Sequence, residues 1–337
     1  MMNIDNVTVI IPAHNRPERL KRLLGYYAGT GIRILVPDSS DSRYEGPVDL
    51  STTIYLHRPR LHFLHKIKEI LPMISTPYVL YCADDDFAVP EAIEEIAWFL
   101  DANPDYSVAQ GHYLTFIPGK NRITFRPRYI RNFDSRIVSD TAHERLKEKI
   151  GGIYAPLLYG VARTDAFRTI YSYCFDNDGE LRFENLFLAE AFFNNAMLIM
   201  GKYATLPCFF SARERIPGSA TSFTTPVSEI KASRQYEGYL TALALLLADN
   251  SDMDLTEALD FIRRLEDTPD DKASVLFKRK VNAFLGRHAM LSPLAELSVW
   301  RYNQKGLKAV KGLKSYPCTF STPEREAIEK AVSATGR

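Results

Sequence analysis

Three consecutive carboxylates, Asp84, Asp85 and Asp86, follow directly on the apolar run 78–83 (YVLYCA). Adjacent like charges repel one another, and each loses hydration at the mouth of a folded crevice. A divalent cation relieves both costs. Oxygen-only ligands suit Mg²⁺ or Mn²⁺, which keep positions open for phosphate oxygens. In an extended segment residues i and i+2 point the same way, so Asp84 and Asp86 are predicted to hold the metal, with Asp85 contacting the bound ligand. The competing interpretation is an acidic loop before the helix opened by Pro90, where carboxylates are stabilised in any case. Arg213 and Arg215 follow the last strand-like run, and paired arginines are common partners of a diphosphate. A solvated basic turn is the alternative. Lys66, in LHFLHKIKEI, is a further candidate contact to a nucleotide, against a plain surface position. His57, His62 and His65 do not have the spacing of a closed zinc site, and no cysteine lies near them in sequence.

These side chains need a scaffold, and the first half of the chain supplies one. Apolar, β-branched stretches at 7–11, 32–36, 54–57, 78–83 and 107–111 alternate with amphipathic stretches at 16–27, 62–72 and 90–103. Pro12 and Pro37 end the first two strands, and Pro90 sits in the first turn of a helix. This rhythm predicts an α/β fold with a mostly parallel sheet flanked by helices. Ligands of such sheets bind beyond the carboxyl ends of the strands. Residues 12–15, 38–41 and 84–86 all fall there and should share one crevice. Further on, 114–117 and 122–125 suggest a hairpin, 139–149 a short helix, 157–162 a strand and 164–173 a helix. The loop 174–180 leads to a long helix over 183–200, and two short strands are expected at 202–206 and 208–212. Trp98 is expected in the core. After 226 the pattern turns helical, at 227–249, 255–266, 270–288 and 293–304. The chain therefore divides into 1–225 and a C-terminal helical appendage, 226–337.

The composition is that of an ordinary globular chain: 337 residues, 46% hydrophobic and 25% charged. The formal net charge of +1 offers no global attraction to nucleic acid or to an anionic membrane. Four isolated cysteines make neither a disulfide framework nor a metal site, which points to a reducing, cytoplasmic setting. The N-terminus lacks the layout of a signal peptide, and no apolar run approaches the roughly 20 residues that span a bilayer. The segment KGLKAVKGLK (305–314) repeats lysine every third residue, which suggests peripheral contact with anionic lipid at the inner membrane face, or simply a solvated face.

Taken together, VTVIIPAHNRPERLKRLL and YVLYCADDDFAVPEAIEEI resemble the nucleotide-sugar-dependent glycosyltransferases with the GT-A (Rossmann-like) fold, close to the family 2 type. The resemblance covers about residues 5 to 215. It implies transfer of a sugar from a nucleoside-diphosphate donor to a glycan or lipid-linked glycan acceptor, with Mn²⁺ or Mg²⁺ on the diphosphate. It further implies that Pro12, Ala13 and His14 line the nucleobase pocket and that Asp38 meets the base. A carboxylate accepts from the N3–H of uracil or thymine and the N1–H of guanine, and cytosine offers no such donor. A CMP-sugar donor is accordingly a poorer fit; the expected donor is a UDP-sugar, with GDP- and dTDP-sugars as lesser candidates.

In inverting members of the family a carboxylate near the start of a helix like 183–200 deprotonates the acceptor, and the family pattern there is Glu-Asp. This chain has Glu184-Asn185. Glu184 is the expected base, with Glu190, Asp176, Asp178 and Glu180 as substitutes. Tyr154 and Tyr159 fall where the family faces its acceptor. Growth of a bacterial surface polysaccharide is the context implied. Two alternatives stay open on the same fold. One is a non-catalytic nucleotide-binding scaffold, suggested by the missing Asp beside Glu184. The other is a sugar-nucleotide pyrophosphorylase, which wants a glycine-rich loop where this chain has PAHNRPE.

Overall fold

The computed structural model of the protein describes residues 4–119, 123–129, 133, 135–150, 156–215, 227–267 and 323–334. The strands are β1 (Val7–Ile10), β2 (Arg33–Asp38), β3 (Thr53–His57), β4 (Tyr78–Tyr81), β5 (Asp86–Ala88), β6 (Tyr106–Pro118), β7 (Ile123–Arg128), β8 (Arg136–Ile137), β9 (Val161–Arg163) and β10 (Lys202–Glu214). They form one sheet in the order β3-β2-β1-β4-β9-β6-β10-β5, with β7 on β6 and β8 on β10. β3, β2, β1 and β4 are mutually parallel, and β6 and β10 share their sense. The mostly parallel sheet flanked by helices, expected from the strand–helix rhythm, is what the chain forms. From β1 the chain steps to β2 and β3 on one side and returns to β4 on the other. That reversal opens a crevice beyond the ends of β1 and β4.

Period-two burial gives the sheet two apolar faces. Val9, Ile11, Ile34, Val36 and Leu80 pack on α1 (Pro17–Tyr27) and α3 (Pro90–Ala102), while Ile10, Leu35, Val79 and Tyr81 pack into the core of α2 (Phe63–Ile70), α5 (Thr164–Ser172) and α6 (Leu186–Met200). α4 (Ala142–Ile150) joins that second face beside α6. Beyond 226 the described elements are helices: α7 (Val227–Lys231), α8 (Arg234–Asp249), α9 (Leu255–Asp267) and α10 (Pro323–Ala334). Tyr239, Leu243 and Leu247 of α8 enter the same apolar cluster as α6, and Ile328 and Val332 of α10 join the opposite face. The C-terminal helices thus complete both cores of the sheet. The proposed boundary near 225, the helices expected at 270–304 and the lysine run 305–314 lie outside the described residues.

Several elements differ from the sequence expectation. The runs 107–111 and 114–117 are one strand, β6. The two strands expected after 202 are also one, β10, whose register against β6 shifts between Thr205 and Phe209, around Pro207. Proline has no N–H for the ladder, so a bulge lets the strand continue past it. Residues Leu157–Tyr159 are a 3₁₀ turn rather than strand. The end of the acidic triplet is itself strand β5, antiparallel to β10. Trp98, expected in the core, is 58% exposed. The buried stripe of α3 runs through Ile93, Ile96, Ala97 and Leu100, and position 98 falls off it.

Candidate functional site

The carboxyl ends of β1 and β2 are knitted together before any ligand is considered. Ala13 N–H donates to Pro37 O and Ser39 N–H to Ala13 O, which extends the parallel pairing past both strands. Asn15 adopts a left-handed φ of 52°, which asparagine tolerates better than most residues. Its side chain exchanges hydrogen bonds with Asp41 across the gap. Asp38 is 1% exposed. One carboxylate oxygen accepts from the Ser40 N–H at 2.8 Å and its hydroxyl at 2.5 Å, and the other accepts from Tyr55 Oη–H at 2.6 Å. The carboxylate assigned to the base from sequence therefore braces its own loop. Pro12 is half-buried, Ala13 buried and His14 exposed, with His14 Nδ1 3.1 Å from Ser39 Oγ.

Lys66, weighed above against a surface position, is buried. Its ammonium donates to Ala13 O at 2.7 Å and Ser39 Oγ at 3.0 Å. Burial lowers its pKa to about 8, against the opposing pull of Asp38 and Asp84. A cation thus lies beneath the point where β1, β2 and β4 end.

The acidic triplet is not extended. Asp86 N–H donates to Ala83 O at 3.0 Å and closes a tight turn over 83–86. The i, i+2 alternation behind the Asp84–Asp86 pairing consequently does not hold. Asp84 and Asp85 converge instead on one atom, Nη1 of Arg16, at 3.2 and 2.8 Å. Asp86 turns away and accepts from Arg213 Nε at 2.7 Å and from the Glu214 N–H at 3.1 Å. Burial, then Asp85, pushes the Asp84 carboxyl up to about 6, with Arg16 and Lys66 opposing. The Arg213 guanidinium also lies 4.2 Å from the centre of the Tyr159 ring, over its face. Glu214, next in β10, binds Arg22 at 2.7 Å and Arg19 at 3.3 Å.

No three His, Cys, Asp or Glu side chains gather as a metal cage among the described residues. Mg²⁺ and Mn²⁺ on a nucleotide need no such cage, because one or two carboxylates plus phosphates suffice. Two carboxylates already focused on a single cationic nitrogen fit that requirement. Asp84 and Asp85 would hold the ion. Asp86 joins them only by giving up Arg213.

Glu184 lies just before α6 rather than on it, because Asn185 is the N-cap. The Asn185 side-chain carbonyl accepts from Phe187 N–H at 2.9 Å and Leu188 N–H at 3.3 Å, a role asparagine and aspartate fill about equally well. Gln235 of α8 accepts from the backbone N–H groups of Glu184 and Asn185, and His62 Nε2 lies 3.1 Å from Glu184 O. The backbone of Glu184 is thereby pinned while its side chain stays exposed. Asp176 accepts from the N–H groups of Asp178 and Glu180 and so shapes its own loop. Glu190 is half-buried on α6, and its charge bears on Tyr159. Tyr154 lies outside the described residues.

Arg16 and Arg19 stand at the start of α1, where the sequence suggests only helix-surface charges, and nothing in the sequence marks Tyr55 or Gln235. Only the position of Arg16, immediately after the first strand end, signalled its role. Among the described residues no helix is long and apolar enough to cross a membrane.

No family model and no curated protein matches the chain. Among solved structures it is similar to S. aureus TarS 1–349 in complex with UDP-GlcNAc, at 15% identity and a TM-score of 0.48, over 77% of this chain and 71% of that one. It is also similar to S. aureus TarS 1–349 in complex with UDP, at 12% identity and a TM-score of 0.48, over 98% and 91%.

Proposed function

We propose that the chain is a metal-dependent glycosyltransferase of the GT-A type. It takes a sugar from a nucleoside diphosphate, UDP being favoured, and passes it to a glycan or lipid-linked glycan with inversion. One observation carries the proposal: at the sheet's topological switch, a buried lysine of α2 reaches the ends of β1 and β2 beside two cation-seeking carboxylates on the turn after β4. Open α/β sheets bind ligands at that place, and diphosphates need such a mix of cation and metal-holding acid. The nucleobase is assigned to Pro12, Ala13 and His14, with Asp38 bracing the wall through Ser40 and Tyr55. The diphosphate is assigned to Lys66 and the acid turn. A bound Mn²⁺ or Mg²⁺ supplies charge neutralisation for the departing diphosphate. Glu184 takes the acceptor proton as the hydroxyl oxygen bonds to the anomeric carbon and the bond to the diphosphate oxygen breaks. Growth of a surface polysaccharide at the inner membrane face remains the proposed setting.

Turnover of a panel of nucleotide sugars with Mn²⁺ tests this directly. Release of the nucleoside diphosphate from one donor, stimulated by an acceptor glycan, is expected. Formation of nucleoside triphosphate from pyrophosphate would mark a pyrophosphorylase. Nucleotide binding with no turnover would mark a scaffold, the reading favoured by the absence of a carboxylate at Asn185.

Gln235→Ala should lower turnover by up to about tenfold, because two backbone donors beside Glu184 lose their acceptor. UDP affinity should stay as in the wild type, since among the described residues Gln235 bonds to the backbone before α6 and not to the strand-end loops. An equal loss in both would show that Gln235 supports the fold rather than Glu184.

A further inference from the structure

A cation already occupies the acid turn in this structure, and it is a side chain. Arg16 Nη1 reaches both Asp84 and Asp85, although Arg16 is 68 and 69 residues away in sequence. Arg16 differs from the other strand-end cations in three ways. Its side chain is 32% exposed, whereas the Arg213 side chain in the Asp86 pair is 11% exposed. Its Nε and Nη2 make no hydrogen bond among the described residues. Its backbone is fixed independently, since its carbonyl accepts from the N–H groups of Arg19 and Leu20 as the N-cap of α1, and Pro17 fixes the next φ. Four side-chain torsions can therefore move the guanidinium without disturbing α1. Two adjacent, largely buried carboxylates are costly to ionise without a positive charge beside them. A diphosphate arriving with a divalent ion offers that charge and also offers the guanidinium a bidentate partner.

We infer that Arg16 is an exchangeable counter-cation: it fills the Asp84–Asp85 turn in the empty protein and yields it to the metal when the metal–nucleotide enters, re-pairing with the diphosphate. This rests on the proposed metal–nucleotide site. It adds that metal and nucleotide bind as a coupled pair because free metal must compete with an internal arginine, whereas metal with nucleotide does not.

The test is Mn²⁺ binding, read as loss of the free Mn²⁺ EPR signal, for the full-length wild type, Arg16→Gln and Arg16→Lys, with and without saturating UDP. Without UDP, Arg16→Gln should bind Mn²⁺ about ten- to a hundredfold more tightly than wild type, the scale of a lost charge-assisted contact. Arg16→Lys should fall between them. With UDP present the advantage of Arg16→Gln should vanish or reverse, because the variant lacks the diphosphate partner. Equal Mn²⁺ affinity of wild type and Arg16→Gln without UDP, while both still bind Mn²⁺ with UDP, would overturn the exchange and leave the metal site standing. UDP binding in EDTA that Arg16→Gln alone loses would also overturn it, making Arg16 the permanent cation. Failure of all three proteins to bind Mn²⁺ or UDP would overturn both the exchange and the proposed function.

Discussion

Replacing Asp84 with asparagine is expected to make the empty protein more stable and the nucleotide-binding protein worse. The native Asp84 carboxyl holds its proton up to about pH 6, against an ordinary value of 3.8, chiefly because it is buried. Between those values the folded state carries a proton that the unfolded state has released, so this group's contribution to stability falls as pH rises through that window. Above about pH 6 the full penalty applies, and the shift corresponds to ~3 kcal/mol. Asparagine has nearly the same shape and no charge to desolvate. At pH 8 in EDTA, Asp84→Asn should therefore raise Tm by several degrees. At pH 4 its advantage should disappear. The same substitution removes a ligand for the cation, so Mn²⁺ should no longer tighten UDP binding, a loss on the order of a hundredfold. In EDTA the two proteins should bind UDP alike. Thermal melts at both pH values and UDP titrations in Mn²⁺ and in EDTA provide the check. A destabilised variant at pH 8 would mean that attraction to Arg16 and Lys66 outweighs burial, and an equal loss of UDP in both buffers would remove the metal from the site.

Glu184→Gln is expected to have the largest effect on rate. Loss of a general base typically slows turnover by about 10²–10⁴. Glutamine keeps the size of the side chain, and no described hydrogen bond of Glu184 involves its carboxylate, so fold and UDP affinity should be unchanged. A fall in turnover at constant donor affinity identifies Glu184 as the proton acceptor. Turnover within a few-fold of wild type would move the base to Glu190 or the 176–180 loop. Of these, the Glu190 charge bears on Tyr159, while the Asp176 carboxylate is occupied by its own loop.

The scaffold of this site was legible because short-range rules govern it. β-Branched runs at 7–11 and 32–36 and the prolines that end them located strands β1 and β2. Pro90 marked the start of α3, and the stripe of Leu20, Leu23, Leu24 and Tyr27 gave the buried face of α1. The placement of 12–15, 38–41 and 84–86 at neighbouring strand ends followed from the α/β rhythm. Which charge meets which did not. Asp84 and Asp85 find Arg16, and Asp86 finds Arg213 127 residues away, because a single turn over 83–86 rotates the third carboxylate into the β5–β10 pairing. That turn and that register are fixed by packing between distant strands, to which local propensity is blind. The same holds for Lys66, which amphipathic spacing allowed on either face of α2 and which tertiary packing buried beneath the crevice. The sequence by itself determined that the acidic triplet and the polar segments 12–15 and 38–41 would lie at neighbouring strand ends of the sheet. The tertiary structure alone decided the pairing of their charges, since ion pairs depend on ångström-scale distances between segments far apart in the chain.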